Sequence, residues 1–289
     1  MKVMDSKLAP IAIFAYRRKE LLEQVIIALQ GNTYASESDV IFFLDGARNE
    51  VDLKGVEQVR SYVETVDGFN SVTVVKREKN YGLAKNIIDG VTEVVNKYGK
   101  IIVLEDDIVT SKFFLEYMNK ALDLYEDENV VMEISGYAFP LDDKGLPETA
   151  FLHFADCWGW ATWKRAWDCF ERNPNELIKT FTADDIYKFN FDGSFPFWNQ
   201  VLENAKGQLN TWAVFWQASV YKKGGLMLYP TKSLIKNIGL DGSGENCEST
   251  SIWETGVGDK AVTEFPVEIE ENDVVRKVIA EYLGGIGLK

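Results

Sequence analysis

Residues 100–108 (KIIVLEDDI) join a short apolar run to three consecutive carboxylates. The apolar run predicts a strand that is buried on both faces, and Glu105, Asp106 and Asp107 follow where that strand ends. Carboxylates crowded at such a place repel one another and resist desolvation, so a cation or the donors of a ligand would stabilise them. Ligands of open parallel sheets also bind at the carboxyl ends of strands. The alternative is that the triplet only favours, through the helix dipole, a helix beginning near Ser111.

The chain before and through this stretch alternates between strand and helix patterns. Strands are predicted at residues 8–15, 40–44, 72–75 and 100–108, and helices at residues 21–29, 56–66 and 83–98. Such alternation is typical of strands joined by right-handed helical crossovers. It predicts an α/β fold with a mainly parallel, Rossmann-like central sheet flanked by helices.

The second half of the chain is organised differently. Its patterns predict a helix over residues 114–122, strands at residues 130–135, 151–155 and 226–229, and a terminal helix over residues 273–283. Trp160, Trp163 and Trp167 are spaced three and four apart, which predicts one helical face packed against the sheet. Asn210 is the predicted N-cap of a further helix that continues to Lys222.

Composition limits the classes of partner. The chain has 289 residues, is 46% hydrophobic and has a net charge of −14, so it can bury a sizeable core. The negative charge argues against a nucleic acid or an anionic membrane surface as the main partner. Neither a signal-peptide pattern nor an apolar run long enough to cross a bilayer is seen, which predicts a cytoplasmic protein with at most peripheral membrane contact.

Cysteine and histidine are too few for most metal sites. Cys157, Cys169 and Cys247 show no CxxC pairing, which argues against a disulfide framework or a zinc cage. His153 is the one histidine and lies in a strand pattern, where a structural role is expected. Acid–base chemistry is therefore expected of Asp or Glu side chains.

Polar side chains at several strand ends are expected to face one ligand. Arg18 follows the first strand, Asp45 the second and Asp107 the fourth, and parallel strands bring their carboxyl ends to one edge of the sheet. In residues 79–86 (KNYGLAKN), Gly82 permits a tight turn into a helix whose N-terminus, with Lys85 in its first turn, suits the anionic diphosphate of a ligand. The alternative is an ordinary turn glycine and a solvated lysine.

These motifs, in their order along the chain, resemble those of a known family. They are FAYRR (residues 14–18), LDG (44–46), NYGLAKN (80–86), LEDD (104–107), GWATW (159–163) and NIGLDGSG (237–244). Residues 8–247 resemble a glycosyltransferase of the GT-A fold, of the family 2 type found among bacterial surface-polysaccharide transferases. The resemblance to N-acetylglucosaminyltransferase I is more distant.

The resemblance implies a metal-dependent enzyme with a nucleotide-sugar donor. Asp107 is then the ligand of Mn²⁺ or Mg²⁺, Asp45 accepts the N–H of a uracil base, which favours a UDP-sugar, and Arg18 holds the nucleotide. Glu105 and Asp106 bind sugar hydroxyls or waters of the metal. The implied donor-binding set is Ala15, Tyr16, Arg18, Asp45, Gly82, Lys85, Asn86, Glu105 and Asp106.

The rest of the chain is expected to bind the acceptor. We expect one continuous GT-A domain in which residues 1–108 form the donor half, and residues 109–289 bind a hydroxyl of a glycan or lipid-linked glycan in surface-polysaccharide synthesis. Trp158 and Trp160, on either side of a glycine at a predicted turn, suit stacking on the apolar face of a sugar or the rim of a pocket.

The general base is left open by the sequence. Inverting transfer needs a base to deprotonate the acceptor hydroxyl, but Asn210 stands where similar proteins often have an acid. Asp156, Asp241 and Glu245 are the other candidates. The alternative function is a nucleotide-sugar-binding or carbohydrate-binding protein that keeps the transferase scaffold and has altered activity.

Overall fold

The structure is a computed structural model that describes residues 7–240, 242 and 251–286. Its strands are β1 (Ile11–Ala15), β2 (Asp39–Leu44), β3 (Ser71–Lys76), β4 (Lys100–Glu105), β5 (Ile108–Thr110), β6 (Val131–Ser135), β7 (Thr149–Leu152), β8 (Trp160–Trp163), β9 (Leu226–Pro230) and β10 (Ile235–Asn237). Its helices are α1 (Lys19–Gln30), α2 (Glu50–Val63), α3 (Leu83–Tyr98), α4 (Phe114–Leu124), α5 (Lys164–Trp167), α6 (Pro174–Thr180), α7 (Ala183–Phe189), α8 (Trp198–Ala205), α9 (Ala213–Lys222) and α10 (Asp273–Gly285).

Eight of these strands form one sheet in the order β3-β2-β1-β4-β8-β6-β9-β7. The first four are parallel, with Ala15 beside Leu44 and Phe14 beside Glu105. Their carboxyl ends therefore lie along one edge, as the sequence predicts. The α/β fold class, with a mostly parallel central sheet flanked by helices, is confirmed.

Beyond β4 the sheet changes direction three times, the last time at β7, which is antiparallel to β9. Strand β8 is antiparallel to both β4 and β6, and β9 is parallel to β6. Val103 of β4 and Ser135 of β6 both pair with Trp160 at the start of β8. The residues just before Trp160 therefore lie at the same edge of the sheet as the residues that follow β4 and β6.

The predicted helical face of tryptophans is wrong. Trp160 to Trp163 form the strand β8, whose backbone is paired on both sides, and the helix begins only at Lys164. Trp160 packs with α3 and Trp216 on one face of the sheet, whereas Trp163 belongs to the larger core on the other face. A spacing of three residues in a strand places two side chains on opposite faces, so the helical interpretation fails.

The predicted cap of helix α9 is also wrong. The helix begins at Ala213, and Trp212 is its N-cap residue without a side-chain hydrogen bond to the helix. Asn210 is exposed, and its Oδ1 accepts a hydrogen bond from Nη2 of Arg172 at 2.6 Å. The amide oxygen of Asn210 therefore accepts a hydrogen bond from the guanidinium and does not cap the helix.

Two apolar layers cover the two faces of the sheet, and α6–α9 enclose a smaller third cluster. In the part of the chain that the structure describes, every helix is too short or too polar to span a bilayer.

The contact between α3 and the sheet gives a stability test. A Cβ at Gly90 would lie 2.6 Å from the ring of Phe14 and 3.2 Å from that of Phe43, and these two rings stack at 5.0 Å. We expect Gly90→Ala to lower the free energy of unfolding by about 1–3 kcal/mol, because the extra methyl overpacks this layer. Urea denaturation measures the change.

The matched control is Gly284→Ala in α10, where an added Cβ meets nothing within 4 Å. There the better helix propensity of alanine should leave stability unchanged or raise it by up to about 1 kcal/mol. Equal destabilisation at both positions would contradict the packing explanation.

Candidate active site

The acidic triplet lies at a chain reversal on the carboxyl edge of the sheet. Strand β4 ends at Glu105, and β5 follows directly and pairs antiparallel with β10. Asp106 and Asp107 form the turn between them and are buried, with 4% and 7% exposure, whereas Glu105 is partly exposed. Pairing of β5 with β10 therefore holds two carboxylates inside the protein.

Arg18 is the counter-ion of this pair. Its Nη2 donates to Oδ1 of Asp106 and to Oδ2 of Asp107, the latter at 2.7 Å, and its Nε lies 3.4 Å from Oδ2 of Asp106. Arg18 follows β1, which is the parallel neighbour of β4, so the sheet order brings the guanidinium to the acids. The predicted meeting of Arg18 and Asp107 at one edge is confirmed.

The charged residues of this group shift one another's pKa values. Burial and the neighbouring charges of Asp107 and Asp106 raise the pKa of Glu105 well above its usual value. Burial also raises the pKa of Asp106 to about 6, although Arg18 opposes that shift. Burial alone would lower the pKa of Arg18, but the two aspartates raise it above its ordinary value. The group is therefore short of positive charge even with Arg18 in place.

The residues fit a divalent ion that is shared with a phosphate ligand. Within residues 7–240, 242 and 251–286, no three histidine, cysteine or carboxylate side chains converge as a complete protein cage. Mg²⁺ and ions like it usually need only one or two protein carboxylates, with phosphate oxygens and water completing the shell. Asp106 and Asp107 supply such hard oxygens. The Nη1 of Arg18 is buried without an acceptor among the described residues, and an anionic ligand would satisfy it.

Gly239 closes the site beside these acids. A Cβ at this position would lie 2.2 Å from Oδ2 of Asp107 and 2.9 Å from Nη1 of Arg18. The backbone of Ile238 donates to the carbonyl oxygen of Asp107 at 2.9 Å, which ties the end of β10 to the acidic turn. Any side chain at Gly239 would therefore displace the acid pair or its counter-ion.

Asp45 lies at the predicted edge, but both of its carboxylate oxygens already accept hydrogen bonds from within the protein. Its Oδ1 accepts from the backbone N–H groups of Gly46 and Tyr81, both at 2.8 Å. Its Oδ2 accepts from Gly82 N at 2.9 Å and from the Asn80 side chain at 3.1 Å. A carboxylate has about four lone-pair sites, so a uracil N–H would have to replace one of these donors. In this structure Asp45 positions the loop that leads into α3.

Several other predicted donor residues also have protein partners. Asn86 is buried, accepts from Nε of Arg77 at 2.9 Å and donates to the carbonyl of Phe43 at 3.3 Å. The hydroxyl of Tyr16 donates to Asp52 at 2.8 Å. Lys85 is exposed and pairs with Asp89 at 2.6 Å.

Gly82 has the backbone role expected of it, whereas the carbonyl of Ala15, predicted to bind the donor, has a partner within the protein. Gly82, with φ of 73°, is the N-cap of α3 and makes the turn that the sequence predicts. The carbonyl of Ala15 at the end of β1 accepts from the backbone of Asp45 at 3.0 Å.

A second pair of acids, Asp156 and Glu133, lies in the part of the chain that follows β5. Asp156, in the connection between β7 and β8, is partly exposed, and its Oδ2 and Oδ1 accept from Oγ of Ser135 and from the backbone of Trp158. Burial raises its pKa to about 7. Glu133 on β6 is fully buried, and its Oε1 accepts the backbone N–H of Asp156 at 2.9 Å.

Gly159, three residues after Asp156, lies at the same edge of the sheet as the acidic turn. A Cβ at Gly159 would lie 3.3 Å from Cγ2 of Ile108, the residue after Asp107. Gly159 also accepts, through its carbonyl, from the backbone of Gly136 directly after β6. The segment that contains Asp156 therefore approaches both β6 and the acidic turn.

Of the other candidates for the base, Asn210 is the one that the structure describes. Asn210 hydrogen-bonds Arg172 on the surface near α8 instead of joining this group. Asp241 and Glu245 lie outside the described residues. Glu133 was missed by the sequence interpretation, although a single acid inside the apolar run of β6 is a signal that could have found it.

The two tryptophans predicted to bind the acceptor differ in exposure. Trp160 is fully buried and stacks on Trp212 at 5.3 Å, so the prediction that it stacks on a sugar is wrong because neither face of its ring is accessible. Trp158 is partly exposed and meets the ring of Tyr137 edge-on at 4.9 Å. Its contact with a sugar remains a prediction.

Comparison with known proteins gives remote structural neighbours. No family model matches the chain, and no curated protein matches it. The chain is similar to TarS of S. aureus, with 14% identity and a TM-score of 0.43, over 80% of this chain and 37% of that one. It is also similar to the mannosyltransferase PcManGT of Pyrobaculum calidifontis, whose structure contains GDP-Man and Mn²⁺. That similarity has 9% identity and a TM-score of 0.43, over 75% of this chain and 69% of that one.

The chain thus spans little more than a third of TarS and about two thirds of the mannosyltransferase. At these identities and TM-scores neither neighbour determines a function for this chain.

The contacts of Arg18 give a test of the acid pair as a cation site. Because the guanidinium neutralises Asp106 and Asp107, an added divalent ion has to compete with it. We expect Arg18→Gln to bind Mn²⁺ about tenfold more tightly than the wild type when no nucleotide is present, which corresponds to about 1.4 kcal/mol. Free Mn²⁺ is measured by electron paramagnetic resonance.

Arg17→Gln is the matched control, because the neighbouring Arg17 pairs with Asp52 and not with the triplet. Its Mn²⁺ affinity should equal that of the wild type. The interpretation of Arg18 as a competing cation is wrong if both variants bind Mn²⁺ equally.

Proposed function

We propose that the protein is a metal-dependent glycosyltransferase of the GT-A type. It transfers a sugar, with inversion, from a nucleotide-diphosphate donor to a hydroxyl of a glycan or lipid-linked glycan acceptor. We propose surface-polysaccharide synthesis as the process, and the resemblance of the sequence motifs supports this part of the proposal. The observation that best supports the proposal is that two different acid groups lie in segments that approach the same edge of the sheet. One group is charge-paired with Arg18, and the other contains Asp156, whose pKa is raised to about 7.

Residues 1–108 form the donor half in this proposal. Asp107, with Asp106 beside it, holds Mn²⁺ or Mg²⁺, which when bound neutralises charge on the departing nucleoside diphosphate. Arg18 then turns its guanidinium towards the phosphate oxygens, and Glu105 faces the sugar. The preference for a uridine donor rests on the resemblance alone, because Asp45 already accepts four hydrogen bonds.

Residues 109–289 form the acceptor half, and Asp156 is its general base. Asp156 takes the proton of the acceptor hydroxyl while that oxygen forms a bond to the anomeric carbon. The bond from this carbon to the diphosphate oxygen breaks, and its electron pair leaves with the diphosphate. Attack from the side opposite the leaving group inverts the anomeric centre. A base with a pKa near the working pH is well suited to this step.

The alternative is a binding protein on the same scaffold that has no turnover. The sequence feature that favours a binding protein is Asn210, at the position of the expected acid. The structure removes this support, because Asn210 hydrogen-bonds Arg172 and lies outside the acid group.

A panel of UDP-glucose, UDP-N-acetylglucosamine and GDP-mannose with Mn²⁺ tests the proposed reaction. Release of nucleoside diphosphate measures turnover, and calorimetry measures affinity for the donor. We expect wild-type turnover to fall about 100-fold or more in Asp156→Asn, because a general base contributes about 10²–10⁴-fold to the rate. Donor affinity should remain unchanged in that variant and weaken in Asp107→Asn.

Asp168→Asn is the control, because this exposed carboxylate pairs only with Lys164 among the described residues. Its turnover should equal that of the wild type. Binding of a donor by the wild type with no release from any of the three compounds would instead identify a binding protein.

The acidic limb of the pH profile should report Asp156. The base works only in its unprotonated form, and its pKa is about 7. We therefore expect kcat/KM to fall about tenfold for each pH unit below pH 7, and to be independent of pH just above it. Initial rates between pH 5 and pH 9 measure this. A profile that stays level down to about pH 5 would exclude Asp156 as the base.

A further inference from the structure

Glu133 is an acid in a place where charge is costly. It is the central residue of β6, has no exposed surface and lies between the apolar side chains of Met132 and Ile134. Its described contacts include no lysine, arginine or histidine. An isolated carboxylate there would have to be compensated or neutralised, so its presence needs an explanation beyond packing.

The contacts of Glu133 converge on the proposed base. Its Oε1 accepts the backbone N–H of Asp156 at 2.9 Å, and Oγ of Ser135 donates to the Asp156 carboxylate. Glu133 and Ser135 are two residues apart on the same strand, so both side chains point to the same face of the sheet. One strand thus holds Asp156 twice, once through its backbone and once through its carboxylate.

The other oxygen of Glu133 is anchored by a tryptophan. Nε1 of Trp216 in α9 donates to Oε2 of Glu133. Trp216 is fully buried, with its ring 5.1 Å from that of Trp167 and 6.0 Å from that of Trp160. A side chain enclosed by large aromatic rings has little rotational freedom. Glu133 therefore connects a rigid aromatic cluster to the loop that contains Asp156.

Both oxygens of Glu133 act as hydrogen-bond acceptors. Oε1 accepts from the backbone N–H of Asp156, and Oε2 accepts from Nε1 of Trp216. Burial and the neighbouring charge of Asp156 raise the pKa of Glu133 well above its usual value. The contribution of Glu133 to Asp156 is therefore a hydrogen-bond acceptor at a fixed position.

We propose that Glu133 is a positioning residue, which holds the Asp156 segment in place for proton transfer through the backbone N–H of Asp156 and is itself held by Trp216. This inference rests on the proposed function, since it assumes that Asp156 is the base. Glu133 has no exposed surface with which to contact a ligand. It acts only through Asp156, so its loss should impair the chemical step and leave donor binding intact.

Substitutions of Glu133 test the inference with the nucleotide-sugar that gives the highest turnover in the panel above. Glu133→Leu removes the acceptor while filling the space, and we expect kcat to fall about 30-fold with donor affinity unchanged. Glu133→Gln keeps an oxygen for the Asp156 N–H but turns its amide N–H₂ towards the Trp216 donor, so it should rescue kcat in part, to within about tenfold of the wild type. A role in packing alone would not produce this rescue by glutamine.

Two further measurements separate positioning from a general loss of structure. In an Asp156→Asn background, Glu133→Leu should cause no additional fall in kcat, because a residue that acts through Asp156 has nothing left to position. Hydrogen exchange of the Asp156 amide should be slow in the wild type and in Glu133→Gln, and at least tenfold faster in Glu133→Leu.

Thr162→Val is the matched control for loss of a buried polar contact to the same strand. Oγ1 of Thr162 donates to the carbonyl of Met132, next to Glu133. This variant should change neither kcat nor the exchange of the Asp156 amide.

The outcomes separate the inference from the proposed function. Turnover in the wild type together with near-normal kcat in Glu133→Leu overturns the positioning role and leaves the transferase standing. Full additivity of Glu133→Leu with Asp156→Asn also overturns it. Absence of turnover in the wild type with every donor overturns the proposed function and this inference together.

Discussion

The ion pair between Arg18 and the turn Asp106-Asp107 is the interaction on which the candidate site depends. Two buried carboxylates next to each other are stable only with a compensating charge, and removing one partner of a buried pair leaves an unpaired charge behind. The sheet order meets this requirement, because β1 and β4 are parallel neighbours and their ends coincide. The backbone at Gly239 then covers the pair so closely that no side chain fits there. Strand order, a guanidinium and a glycine together make the acidic turn possible.

The second acid group is stabilised in a different way. Glu133 and Asp156 have hydrogen-bond donors from backbone, serine and tryptophan, but no cation among their described partners. The pKa values of Glu105 and Asp106 in the first group are raised as well as those of Glu133 and Asp156, but the first group contains the fixed positive charge of Arg18. Different environments for two sets of carboxylates allow different chemical roles within one site. A charge-paired group suits a charged ligand and its ion, and a group with a near-neutral pKa suits proton transfer.

Strand β8 and its tryptophans set the distance between these groups. This strand lies between β4 and β6, so the two acid groups are placed across one intervening strand. Trp160, Trp167, Trp212 and Trp216 pack together on one face and fix both the strand and the start of α9. These four tryptophans therefore contribute rigidity to the site. Trp158, which precedes the strand, remains partly exposed.

The sequence by itself determined the alternating α/β order, the bounds of α3 at residues 83–98, and the acidic turn after a buried strand, because these follow from local periodicity and local turn chemistry. It gave the wrong structure for Trp160 and Trp163, since a spacing of three residues fits a helix but pairing with β4 and β6 makes a strand. It also misplaced the cap of α9 and overlooked Glu133. Only the tertiary structure decided which donors occupy Asp45 and Asn210, and which acid-bearing strands flank β8. Those contacts join residues far apart in the chain, and local pattern contains no information about them.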